Sequence, residues 1–155
     1  MKSVQESILV NCSVEDIYAL YADILEWKNV LSDVLDIKVI YDDGKNQEFL
    51  MTVDRPTGAE TVRSVRFCTL NERIEMFQPV PPPLLKFMRG VWFFEKMPTG
   101  TLLTATRAFE LKDDVFPDLS RAEAEEKFAS KLRGFLLNNL NSFKAEVEKR
   151  CVESV

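Results

Sequence analysis

The chain contains no histidine. That absence removes Ser-His-Asp triads, Cys-His pairs and the usual zinc ligand sets. Glycine is scarce, with five residues at 44, 58, 90, 100 and 134. None of them builds a GxGxxG or P-loop cradle, so no phosphate site is signalled. Cysteine is limited to Cys12, Cys68 and Cys151. An odd count without CxxC spacing is not a disulfide framework, and three reduced thiols in a cytoplasmic protein are the expectation. No apolar run approaches the ~18 residues of a membrane span. The opening Met1–Glu6 lacks the apolar stretch of a secretion signal, so the Asn11-Cys12-Ser13 sequon is expected to be chance. No run of Lys or Arg stands out, and 25 acidic against 20 basic side chains leave a net charge of −5. A nucleic-acid or anionic-membrane surface is therefore not expected. Neither a metal nor an organic cofactor is implied.

What is present fits one globular domain over residues 1–155, with 46% apolar and 29% charged side chains. Residues 5–12 read as a strand. Ser13 then looks like an N-cap, and Val14, Ile17, Tyr18, Tyr21 and Leu25 recur at helical spacing. Trp27–Leu31 forms a second short helix in this reading. From Val34 the period becomes two, giving strands at 34–41, 47–53, 60–70, 73–78, 84–95 and 101–111, with Asp43-Gly44 as a hairpin turn. Pro79-Val80-Pro81-Pro82-Pro83 interrupts this series as a stiff connector at a sheet edge or cavity mouth. A PxxP-type ligand for a partner domain is the other reading of that run. A long helix is predicted from about Arg121 to Cys151, with Phe128, Leu132, Phe135, Leu136, Leu140, Phe143 and Val147 on one stripe. Gly134 inside it is expected to pack closely against the sheet. The order gives an α+β fold: a seven-stranded antiparallel sheet with helices on one face. A long helix across a curved sheet closes a space that can be solid core or ligand cavity.

Strand alternation sorts the charged residues. In 101–111, Leu103, Ala105, Phe109 and Leu111 share an apolar face with Arg107, which should therefore point inward. Arg63 and Arg66 lie three apart, so one of them should look inward. The set Val62, Ser64, Arg66, Cys68 and Leu70 is slightly more apolar than its opposite, and the pattern alone does not choose between them. In 84–95, Met88, Gly90, Trp92 and Phe94 form one side. Two inward Arg residues beside a Ser and a wall of Trp, Phe and Met fit a hydrated pocket better than a solid core.

The stretch Ser13-Val14-Glu15-Asp16-Ile17-Tyr18-Ala19-Leu20-Tyr21-Ala22-Asp23, followed by Glu26-Trp27, resembles the opening of single-domain polyketide aromatase/cyclases of the START-like, helix-grip (SRPBCC) superfamily. Val62-Arg63-Ser64-Val65-Arg66, Phe87–Phe94 and Thr101–Leu111 resemble later strands of that family, in order. The resemblance implies a helix-grip fold enclosing a pocket, and an enzyme that directs aldol cyclisation and dehydration of a poly-β-ketone. It selects the even face of 60–70 as inner. It implies Arg66 and Ser64 as catalytic residues, with Trp27, Met51, Met88, Trp92, Phe94, Ala105, Arg107 and Phe109 lining the substrate. At position 107 the family more often carries a neutral group such as Gln. The implied partner is a polyketide intermediate delivered on an acyl carrier protein, and a homodimer stays open. The family's Trp two residues before the serine is Val62 here. A carrier of a lipid, quinone or other apolar ligand is the alternative within the same superfamily.

Overall fold

The computed structural model describes residues 1–153. Strand β1 (Lys2–Val10) leads into helix α1 (Val14–Ala22), a 3-10 turn at Ile24–Glu26 and helix α2 (Trp27–Val30). Six strands follow: β2 (Val34–Asp42), β3 (Asn46–Arg55), β4 (Gly58–Thr69), β5 (Arg73–Val80), β6 (Leu85–Met97) and β7 (Gly100–Leu111). Helix α3 (Arg121–Glu153) closes the chain. The sheet order is β1-β7-β6-β5-β4-β3-β2, antiparallel throughout. This is the seven-stranded antiparallel α+β fold expected from the pattern, in the helix-grip arrangement that the resemblance implies. Successive strands form a meander, and β1 returns to pair with the last of them. Register breaks in β2, between β4 and β5, and between β6 and β7 bend the sheet, as inserted residues do.

Local chemistry sets the helix ends. Ser13 Oγ accepts from the Asp16 amide at 3.2 Å and starts α1. Ser120 and Glu123 form a reciprocal capping box at the start of α3, each side chain accepting from the other's backbone N–H at 3.2 Å. Along α3, Phe128, Leu132, Leu136, Leu140, Phe143 and Val147 are buried. Phe135 departs from the predicted stripe. It is 40% exposed, and Arg55 covers its ring at 4.6 Å.

Gly134 also departs from expectation. It is exposed, and a Cβ built there meets nothing within 4 Å. It costs helix stability without any packing return. Gly134→Ala is expected to stabilise the protein by about 1 kcal/mol, read as a higher urea midpoint at an unchanged slope.

The proline run interrupts less than the sequence implies. Strand β5 continues through Pro79 to Val80, which pairs with Arg63 on β4. Pairing with β6 has already ended at Phe77, so the missing N–H of Pro79 costs no ladder bond on that side. The cysteine expectation is corrected as well. Cys12 and Cys151 form a disulfide, with Cα atoms 6.6 Å apart and a sequence separation of 139, and Cys68 is buried and free. The long separation is why spacing rules missed the pair.

Candidate functional site

The even residues of β4 face the helix. Val62, Ser64, Arg66 and Cys68 are buried, while Arg63 points outward and pairs with Glu48. On β7, Arg107 is inward and 8% exposed. The ten residues implied by the resemblance (Arg66, Ser64, Trp27, Met51, Met88, Trp92, Phe94, Ala105, Arg107, Phe109) are all buried. Their apolar members share one core cluster. Arg66 lies 5.4 Å from the Trp27 ring, Trp27 contacts Trp92 at 5.5 Å, and Arg107 sits 4.3 Å over Trp92. Phe94 joins this cluster through Tyr21 at 5.7 Å. Phe109 instead packs on Phe128 at 4.9 Å.

Arg66 is held by its own chain. Its Nε donates to Gln47 Oε1 at 2.8 Å. Its Nη2 donates to the carbonyls of Tyr21 and Ala22 at 2.9 and 3.1 Å. Those carbonyls end α1, where the helix dipole favours a cation. Gln47 in turn donates to Ala22 O and Asp42 Oδ2. The remaining Nη1 of Arg66 is buried without a partner. Burial pushes the Arg66 guanidinium down to about 10, partly offset by Cys68 and Asp42. The guanidinium therefore stays charged at neutral pH.

Arg107 is less committed. Its hydrogen bond runs from Nη1 to the carbonyl of adjacent Thr106 at 2.6 Å. Gly90 lies opposite it in register. Among the described residues, neither Arg66 nor Arg107 belongs to an ion pair. Burial pushes Arg107 down to about 10 as well. Such a shift corresponds to a penalty of order 3 kcal/mol, against about 1–2 kcal/mol returned by the ring contact. Arg107→Gln is therefore expected to raise stability by about 1 kcal/mol, measured by urea denaturation with circular dichroism. A loss of stability on that change would mean that the ring contact outweighs the desolvation.

The surrounding polar groups were not legible as site residues. Tyr21 lies on the apolar stripe of α1, yet its hydroxyl donates to Asn139 Oδ1 on α3 at 2.9 Å. Its ring stacks on Phe143 at 3.8 Å. Trp27 Nε1 donates to Tyr21 O at 3.0 Å. Ser64 Oγ accepts from Gln78 Nε2 at 3.3 Å. Trp92 Nε1 and Gln78 Oε1 are buried without partners. The cluster thus offers surplus donors, at Arg66 Nη1 and Trp92 Nε1, inside an aromatic wall. Acceptor oxygens are the groups that would satisfy these donors.

A depression of about 1250 Å³ reaches both guanidiniums, with Gln47, Arg66, Met76, Gly90 and Arg107 in its lining. Val65, Phe77 and Arg89 also line it, so it draws on residues of both strand parities. Among the described residues, no helix is long and apolar enough to cross a membrane, and no cluster of His, Cys, Asp and Glu with metal-binding geometry is present.

A family described as polyketide cyclase / dehydrase and lipid transport matches residues 1–148. Among solved structures, the di-domain ARO/CYC StfQ from the steffimycin biosynthetic pathway superposes with a TM-score of 0.89 and 25% identity over 96% of this chain. The chain spans 52% of StfQ, about half its length. Zhui aromatase/cyclase from Streptomyces sp. R1128 has a TM-score of 0.86 and 20% identity, over 97% of this chain and 95% of that one. A START superfamily protein from Mycobacterium smegmatis has a TM-score of 0.78 and 14% identity, over 95% and 97% of the two chains. At their level of identity the last two show the fold alone. No curated protein matches the sequence.

Proposed function

The chain belongs to the polyketide cyclase / dehydrase and lipid transport family, and from that premise we propose that it is an aromatase/cyclase. In this reading it holds a poly-β-ketone chain, delivered on an acyl carrier protein, between α3 and the inner face of the sheet. It directs aldol closure followed by loss of water. The observation that carries the proposal is the pair of buried arginines beside Trp27 and Trp92, with unspent donors at Arg66 Nη1 and Trp92 Nε1.

The chemistry follows from the groups available. A poly-β-ketone is already reactive, with acidic protons between carbonyls, so holding one geometry is worth up to ~7–11 kcal/mol. Ring closure places negative charge on enolate and alkoxide oxygens. Arg66 Nη1, buried and unpartnered, is suited to stabilise that charge. Arg66 remains protonated and is a poor base. Protons are therefore moved by water, by the Ser64 hydroxyl or by the substrate itself. Ser64 is fixed by Gln78 and assists from the same strand face.

The test is reconstitution of a polyketide synthase with and without this protein. A shift in the cyclised product, or in its proportion, is the expected result. Identical product profiles would sink the enzymatic reading.

A carrier function has one observation in its favour. Arg66 spends its Nε and Nη2 on Gln47 and on the end of α1, a structural use that a binding protein would share. Native mass spectrometry of the purified protein separates the two: a retained lipid or quinone marks the carrier. The proposed setting is the cytoplasm, where the Cys12–Cys151 bond faces reducing conditions.

A further inference from the structure

We propose that Arg107 is an anion seat, so that the ligand of this site carries an aryl carboxylate docked on the Arg107 guanidinium beside Trp92. The inference rests on the interior being a ligand site, and it adds the charge and chemical class of what enters.

Three observations carry it. Arg107 is a buried cation whose hydrogen bond within the chain goes to the neighbouring carbonyl of Thr106. Arg66, by contrast, has Gln47, two helix-end carbonyls and the field of Asp42. A buried guanidinium without a counter-charge is unfavourable until an anion joins it, and carboxylate is the group whose geometry its planar fork matches.

The seat is also shaped. A Cβ at Gly90 would lie 2.5 Å from Arg107 Nη1, 2.5 Å from the Thr106 carbonyl oxygen and 2.7 Å from Arg107 Cδ. The absent side chain at Gly90 leaves room for that carbonyl and for the guanidinium it holds, which lies over the Trp92 ring at 4.3 Å. Arg107 and Gly90 therefore form one unit, a cation laid in a slot left for it.

The third observation is the orphaned donor alongside. Trp92 Nε1 is buried without a partner, in the residue whose ring supports the guanidinium. An anion at Arg107 has a second donor within the same residue pair. The wall around it is aromatic, from Tyr21, Trp27, Trp92 and Phe143, which favours a flat aryl acid over an alkyl one. A neutral ligand would leave the cation desolvated and unmatched, so the seat selects by charge.

Isothermal titration calorimetry at neutral pH tests this with 6-hydroxy-2-naphthoate, its methyl ester and laurate. The expected result is that the wild-type protein binds the aryl acid at least about tenfold more tightly than the ester. Arg107→Gln should bring acid and ester to the same affinity, chiefly by weakening the acid. Arg107→Lys, which keeps the charge without the fork, should restore part of the preference. A preference for acid over ester that persists undiminished in Arg107→Gln overturns the proposal. Tighter binding of laurate than of the aryl acid overturns the aryl class. If the wild type binds ester and acid equally, the anion seat falls while the ligand site stands. If none of the three binds, both readings fall.

Discussion

Reduction of the Cys12–Cys151 bond lowers the melting temperature by roughly 10–20 °C. The bond ties the start of α1 to the last turn of α3 across 139 residues of chain. Closing so long a loop in the unfolded state is worth about 5 kcal/mol in the chain-entropy account. For a domain of this size each kcal/mol shifts the midpoint by roughly 2–4 °C. Around the bridge, Cys12 Sγ lies 3.4 Å from Val147 O, Thr101 Oγ1 donates to Cys12 O at 2.9 Å, and Cys151 is part-exposed. Scanning fluorimetry with and without dithiothreitol, beside a Cys12→Ser/Cys151→Ser variant, measures the effect. The double variant should match the reduced wild type and be indifferent to reductant. Equal midpoints for oxidised and reduced wild type would show that α3 is anchored by its apolar face alone.

Arg66→Ala is expected to cut cyclised product by about 10²–10³-fold, the usual cost of losing one donor to a developing oxyanion. It also removes the charged donor from Gln47 Oε1 and the Tyr21 and Ala22 carbonyls, though Trp27 and Gln47 still donate to the two carbonyls. A stability loss of about 1–3 kcal/mol accompanies the change, because hydrogen bonds from a charged group are lost. The two effects are separated by normalising product to folded protein, measured by circular dichroism at the assay temperature. Arg66→Lys sharpens the test. It keeps the charge but cannot span Gln47 and the helix end together, so product should fall while the fold persists. Wild-type product at wild-type rate from folded Arg66→Ala would make Arg66 a helix cap and nothing more.

Much of this was legible because strand and helix periods are local. Alternation placed Arg107 among Leu103, Ala105 and Phe109, and all four are inward. The parity of Arg63 and Arg66 required one inward guanidinium, and Arg66 is that residue. The failures share a different cause, which is that the sequence does not carry the distances. Phe135 is apolar and adjacent to the true stripe, but one helical step of about 100° carries it past the sheet edge, where Arg55 covers it. Gly134 looked like a contact point because nothing local says whether a partner is there. Tyr21 and Asn139 bond across 118 residues, and Cys12 meets Cys151 across the whole fold. No spacing rule reaches that far. The role of Gly90 became visible only when Arg107 was found lying across it.

The return of β1 to β7 has a consequence for how the molecule is made. Lys2 pairs with Phe109 and Val10 with Thr101, so β1 waits for β7, the last strand of the sheet to be synthesised, before it has a neighbour. The β2–β7 meander can zip hairpin by hairpin as it emerges. The sheet is finished only when an end-to-end encounter closes it, a high-contact-order step that folds in milliseconds to seconds rather than microseconds. Until then the β7 edge is open to intermolecular pairing, and aggregation during synthesis should be most acute for chains stalled short of residue 111.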